Sequence, residues 1–312
     1  MPGAGDWRNW ALLATLGMIW GGSFTLTGVA VDTLPPLTVA AGRLALGAVA
    51  LFALAAARGS LPPSPFAPGA RPVWLFALGV ALAANAIPFA LLSWAQTHVP
   101  SALAGIFMAS LPLIVLPLAH MLVPGERLTL VKATGFVVGF VGVIYLFGFD
   151  AFRALGGSDV AVLAQLACLG AASGYAVGSI LTKLSPETPA LAFGSAAIGL
   201  AALIMAPIAF LFERPLDAPW DAGGAWALVY LGLAPTAVAQ VLLVIVLRRA
   251  GPSFLSLVNY QVPLWAVGFG ALFRGETIPE RALPALALIL VGVAISQGGV
   301  GWVWRRLAPQ TR

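Results

Sequence analysis

Two short stretches decide the fold of this chain: "LVPGERLTL" (Leu122–Leu130) and, 150 residues later, "LFRGETIPE" (Leu272–Glu280). Each follows one long apolar run and precedes another, and each sets a Gly-Glu pair at the edge although the chain has only 11 acidic residues. Further landmarks keep the same spacing. Pro100-Ser101 matches Pro252-Ser253, Pro112 matches Pro263, and Gly142-Val143 matches Gly292-Val293, all at offsets of 150 to 152. Upstream, Trp74 matches Trp226, Pro36 matches Pro189, and Gly17/Gly21 matches Gly170/Gly174. The chain is therefore expected to be two copies of one unit, 1–150 and 151–312.

The unit is a membrane unit. A mean hydropathy of +0.97, with 60% hydrophobic and 9% charged residues, does not fit a soluble chain, in which about a quarter is charged. Runs long enough to cross about 30 Å of hydrocarbon fall at 10–30, 37–57, 73–94, 101–122, 131–149, 160–183, 189–212, 225–247, 254–273 and 283–303, which makes ten helices. The first reads as a retained helix, because it runs into further spans without a small-residue cleavage site. The Pro/Ser-rich 58–72 reads as a tether.

Placing both termini on one side puts Arg8, Arg58, Arg71, Arg127, Lys132, Lys183, Arg248, Arg249, Arg305, Arg306 and Arg312 on that side. Only Arg153, Arg214, Arg274 and Arg281 fall on the other, and eleven against four assigns both termini to the cytoplasm. The net charge of +5 is thus a topology signal, and nucleic acid is not an expected partner. Five helices per copy is an odd number, so the second copy enters the membrane from the opposite side. Inverted repeats of this kind are built around a central site that opens to each side in turn. The fold class expected is all-α: ten spans in two inverted five-helix halves around a central cavity.

Three stretches, "IWGGSFTLTGVAVDTLPPLTVAAGRLALGAVAL" (19–51), "THVPSALAGIFMASLPLIVLPLAHMLVPGERLTLVKATGFVVGFVGVIYL" (97–146) and "RAGPSFLSLVNYQVPLWAVGFGALFRGETIPERALPALALILVGVAI" (249–295), resemble the drug/metabolite transporter superfamily, specifically its EamA-like exporters. The resemblance rests on Trp20-Gly21, Arg43, Pro112, Pro263 and the two Gly-Glu pairs. Its nearest branch is the YddG-type exporters of aromatic amino acids. It implies a bacterial inner-membrane exporter of neutral, chiefly aromatic, amino acids that needs no cofactor and works as a monomer in the lipid bilayer.

A substrate cavity should show itself by polar groups and helix breaks near mid-depth. Helix 1 offers Trp20, Ser23 and Phe24 on one face; helix 3 offers Asn85 and Phe89 beside Pro88; helix 4 offers Phe107, Met108, Ser110 and Pro112. The second half offers Tyr175 on helix 6, Thr236 and Gln240 with Pro235 on helix 8, and Asn259, Tyr260, Gln261 and Pro263 on helix 9. For the amides, cavity lining and interhelical hydrogen bonding are equal alternatives, and Trp20 and Phe24 could simply pack helix 1. No acid lies deep in a span, and the one inserted charge is Arg43, read as a snorkelling or structural cation ahead of a carboxylate receptor. Such a lining suits a neutral or zwitterionic solute with an apolar side chain. Gly17/Gly21, Gly135/Gly139 and Gly170/Gly174/Gly178 read as close helix contacts. Glu126 and Glu276 read as caps of the helices that follow them, ahead of proton-coupling acids. No HExxH, GxSxG or facing intramembrane acids support hydrolysis in the bilayer.

Overall fold

A computed structural model describes residues 6–148 and 159–297. Asp150, Arg153, Trp302, Arg305, Arg306, Arg312, the boundary between the two expected halves and the ends of the fifth and tenth runs lie outside those residues. Among the described residues the longer helices are, in order, α1 Trp7–Val31, α2 Pro36–Ala57, α3 Ala70–Ala95, α4 Ser101–Leu122, α5 Leu130–Phe147, α6 Val160–Leu184, α7 Ala190–Glu213, α8 Ala222–Ala250, α9 Val258–Arg274 and α10 Ala282–Ser296, with short helical turns at Pro215–Asp217 and Pro252–Leu255. No strand occurs among the described residues. The eight helices α1 to α8 are long and apolar enough to cross a membrane; α9, with 17 residues, and α10, with 15, fall short of that length.

The apolar runs form helices because a helix is the one open structure that satisfies its own backbone in lipid. Their ends are set by side chains. Asp6, Thr129, Asp159 and Asp221 each accept a hydrogen bond from a first-turn amide, and Pro36 stands at the start of α2, where its missing N–H costs nothing. Large apolar side chains such as Leu203, Leu211, Leu272 and Val49 stay at least 70% exposed. That surface is tolerable only against hydrocarbon.

Inside the bundle α5 lies against α10, α2 against α7, α1 against α8 and α9, and α6 against α3 and α4. Glycines set these approaches. A Cβ on Gly21 would strike Trp265 and the Val262 carbonyl of α9, and one on Gly174 or Gly178 would strike Ala83 or Ala84 of α3. The tightest crossing is α5 on α10, where a Cβ on Gly292 would fall on the backbone of Gly135 and Gly139. Of the glycines expected to be close helix contacts, Gly17, Gly21, Gly135, Gly139, Gly174 and Gly178 are that, whereas Gly170 has room for a Cβ.

The two Gly-Glu pairs differ from expectation. Gly125 (φ 85°) and Gly275 (φ 60°) do make the sharp left-handed turn that glycine allows. Neither glutamate caps the helix after it. Thr129 caps α5, and α10 starts at Arg281 with no side-chain cap. Glu276 instead reaches across to α4: Oε1 accepts from the Ser101 amide (3.0 Å) and hydroxyl (2.8 Å), and Oε2 from the Ala102 amide (2.9 Å). Glu126 pairs with Lys183 (2.8 Å) and Lys132 (3.4 Å). A glutamate one short turn before a helix has a longer reach than its own helix needs, so the nearest unpaired amides or cations claim it.

Three substitutions test this account in the purified protein. Gly292→Ala should lower stability by about 1–3 kcal/mol through overpacking against backbone that cannot yield. Gly170→Ala should be near neutral, because its Cβ would meet only Leu91 Cδ1 at 3.4 Å. Glu276→Ala should cost about 2–3 kcal/mol, seen in the thermal melting temperature, since it strips a buried charge-assisted cap from α4.

Candidate functional site

Prolines shape two helices that frame a cavity inside the bundle. Pro88 in α3 and Pro235 in α8 have no N–H to give to the carbonyl four residues earlier, so each helix loses a rung. Both relax into a wider π turn, Leu82–Ala86 in α3 and Leu233–Val238 in α8. A side chain in each turn bonds the carbonyl five residues back, and in α8 that is the carbonyl which Pro235 leaves without its usual partner. Asn85 Nδ2 donates to the Val80 carbonyl at 3.0 Å, and the Thr236 hydroxyl donates to the Leu231 carbonyl at 3.3 Å. From behind, the Trp20 indole N–H donates to the Pro235 carbonyl at 3.3 Å, tying α1 to the α8 turn.

Between these turns lies a cavity of about 320 Å³, at the small end of the range of about 300–1,000 Å³ typical of ligand sites. Its polar groups are Arg43 of α2, Asn85 of α3 and Thr236 and Gln240 of α8; Phe89 of α3 and Phe193, Ala197 and Ile198 of α7 supply apolar wall. The lining runs from Arg43, seven residues into α2, to Thr182 near the end of α6 and Ala190 at the start of α7, both exposed. A Cβ on Gly194 would meet nothing within 4 Å, so α7 leaves a gap there.

Arg43 does not snorkel. Its guanidinium carbon sits 3.9 Å from the centre of the Phe89 ring, and its Nε is buried without a hydrogen-bond partner. The side chain lies well inside the protein with its accessible surface toward the cavity. Phe89 is held in turn by an edge contact from Tyr175 at 6.4 Å.

Of the residues expected to line a cavity, Asn85, Phe89 and Gln240 meet here, with Arg43. Tyr175 stands behind Phe89, and Trp20 behind the α8 turn. The others lie elsewhere. Ser23 bonds its own helix, through the Trp20 carbonyl, and Phe24 is core. Phe107 is fully buried against Phe147 (5.2 Å), Ser110 bonds the Phe107 carbonyl, and Met108 and Tyr260 pack on the same core. Pro112 opens the second half of α4 at the break after Met108, while Pro263 is buried in a continuous α9. Asn259 lies in the first turn of α9, half-buried, and Gln261 lies against Gly17 of α1. Phe193 and Gly194 were not legible as site residues, having no polar or proline signal, and Thr182 lies at the end of its span rather than at mid-depth; the offset that pairs Pro36 with Pro189 carries Arg43 to Ala196, which could have pointed at that turn of α7.

The two ends of the bundle are held unequally. At the end where α4 begins, Glu276 caps α4, Arg274 pairs with Asp32 (2.8 Å) and Glu276 (3.1 Å), and Glu213 accepts from the Leu37 and Thr38 amides of α2 (2.9 and 2.7 Å). At the opposite end Glu126 holds Lys183 and Lys132, and Arg249 pairs with Asp6 (3.3 Å) and donates to Asn9 Oδ1 (2.9 Å). Hydrogen bonds from Lys183 and then Lys132 hold the Glu126 carboxyl below the usual carboxylate range. A depressed carboxyl contributes stability above its unfolded pKa of about 4.3 and loses it only as the pH falls through the lower folded value. Glu126 is thus ionised at neutral pH, which does not suit a proton carrier.

The chain matches the EamA-like transporter family twice, over residues 8–148 and 161–297. It is 27% identical to the uncharacterized inner membrane transporter YedA of Escherichia coli K12 over 286 residues, 91% of this chain and 88% of that one. Identity to the aromatic amino acid exporter YddG of Ancylobacter novellus is 28% over 290 residues, 89% and 93% of the two chains. The probable terminal-alkyne amino-acid exporter of Streptantibioticus cattleyicolor is 27% identical over 287 residues, 92% of each chain. A crystal structure sharing 22% identity superposes with a TM-score of 0.64 over 93% of this chain and 97% of its own, so the fold is shared. The chain belongs to the EamA-like transporter family, as a multi-pass protein of the bacterial inner membrane.

Proposed function

We propose that the chain is a transporter, not an enzyme, that exports neutral amino acids with aromatic or other apolar side chains by alternating access at the α2/α3/α6/α7/α8 cavity. The carrying observation is the lining itself: amide, hydroxyl and aromatic groups with one guanidinium and no carboxylate, set between two proline-broken helices. That chemistry suits a zwitterion with an apolar side chain and disfavours a free cation. The names of two relatives, an aromatic amino acid exporter and a probable terminal-alkyne amino-acid exporter, support the substrate class.

The reading takes all ten helices as spans, in two inverted halves with both termini cytoplasmic, acting as a monomer. The double family match supports the halves. So does the packing, which maps onto itself when each helix is exchanged for the one five places on: α1 on α9 becomes α6 on α4, and α1 on α8 becomes α6 on α3. The positive-inside rule assigns the loosely held end to the cytoplasm, so this conformation is sealed outside and open inside. Glu276 and Glu126 occupy matched positions in the halves, but Glu276 binds the first amides of a partner helix whereas Glu126 meets partner helix α6 only through the half-exposed Lys183 ammonium. Breaking the outer link is then a step toward the outward-open form.

Proteoliposomes holding the full chain should take up phenylalanine and tryptophan faster than empty vesicles. No excess for any neutral amino acid sinks the reading. Gln240→Ala should raise the KM for transport several-fold at unchanged melting temperature. Thr236→Cys, in a chain whose native Cys168 is buried, should react with an impermeant maleimide from the cytoplasmic side. Adding Glu276→Gln should move labelling toward the outer side by roughly tenfold, the shift expected for about 1.4 kcal/mol taken from the closed form; unchanged sidedness contradicts the gate.

A further inference from the structure

We propose that Arg43 is the receptor for a carboxylate on the bound solute, so that the cavity selects carboxylates and zwitterions with an apolar side chain and refuses the matching amines and amides. This rests on the transport reading for the solute's being carried, whereas the anchor itself is a property of binding.

The guanidinium is stacked 3.9 Å over the Phe89 ring, which fixes its plane and leaves its edge for a ligand. Among the described residues it has no hydrogen bond and no ion pair, and its Nε is buried without a partner. The titratable side chains close enough to act on its charge are the phenols of Tyr175 and Tyr230; no carboxylate does so. Every acid among the described residues lies in a loop or at a helix end, so the protein has none to offer at that depth. A cation set this far inside the protein without an anion is unfavourable, and the cavity that Arg43 lines gives an anion access to it.

Carboxylate fits better than the other common anions. The guanidinium fork matches its two oxygens, and a single cation does not neutralise a phosphate dianion. The rest of the lining completes a zwitterion. Gln240 has no protein hydrogen bond, and the Thr236 hydroxyl, having given its proton to Leu231, keeps lone pairs; both can accept from an ammonium. Phe193 and Ile198 leave apolar wall for the side chain.

The test uses the purified full chain and four near-isosteres: phenylalanine, 3-phenylpropionate, phenylalaninamide and phenethylamine. The first two should raise the melting temperature at millimolar concentration, and the last two should not. Arg43→Lys should weaken the apparent affinity for phenylalanine at least tenfold, and Arg43→Gln should remove stabilisation by both carboxylates. Equal stabilisation by amide and acid, stabilisation by none of the four, or an Arg43→Gln protein that keeps its affinity would overturn the assignment. Should Arg43→Gln fail to fold, the four ligands on the unaltered chain decide alone. Carboxylate-selective binding without uptake into proteoliposomes would sink the transport reading and leave the anchor standing.

Discussion

In lipid a helix that loses a backbone hydrogen bond must recover it from its own side chains, and this constraint shapes the centre of the protein. Pro88 and Pro235 each remove one rung; Thr236 returns a bond to the Leu231 carbonyl that Pro235 leaves unpaired, and Asn85 adds a bond to the Val80 carbonyl at the start of the α3 turn. The cost of the breaks is therefore contained. The gain is two widened turns that present an amide and a hydroxyl at mid-bundle. Replacing Thr236 by an apolar residue would leave the Leu231 carbonyl without that bond, so this part of the polar lining is also the repair of its frame. Binding and folding are served by the same atoms.

The ends of the bundle follow from a related need. A helix start carries unpaired amides, and in a bundle the nearest acceptor can sit on a different helix. Glu276 and Glu213 use this to join α4 and α2 to the helices packed against them, α9 and α7, so two caps double as clasps. Glu126, answered by the ammonium groups of Lys132 and Lys183, makes no such clasp. Exposed pairs of this kind contribute little, while amides bound by a carboxylate away from water contribute more. One end is consequently stiffer than the other.

The helices were legible because hydropathy and length act locally. Spans drawn from sequence at 101–122 and 160–183 became Ser101–Leu122 and Val160–Leu184. Glycine contacts were legible for the same reason, since a missing Cβ at helical spacing has few other uses. Proline breaks were legible as positions, and they led to Asn85, Phe89 and Gln240. What a side chain does across the bundle was not. Glu276 reads as a cap for α10 until the fold brings Ser101 beside it, 175 residues away in the chain. Ser110 and Phe107 look like lining by residue type, yet the break in α4 turns the hydroxyl onto its own backbone and the ring into the core.

Arg43 shows where sequence and fold must be read together. From sequence alone its depth of about two turns allows a snorkelling side chain, because a long stem can reach an interface on that length. The fold removes that freedom by laying Phe89 under the guanidinium and Thr236 against Gly47 one turn further along α2. The cation then has two possible neighbours, apolar wall or cavity. The scarcity of acids, which in the sequence looks like a mere trait of a membrane protein, becomes a statement about charge balance: with no carboxylate of its own at that depth, the protein leaves the balancing anion to whatever enters.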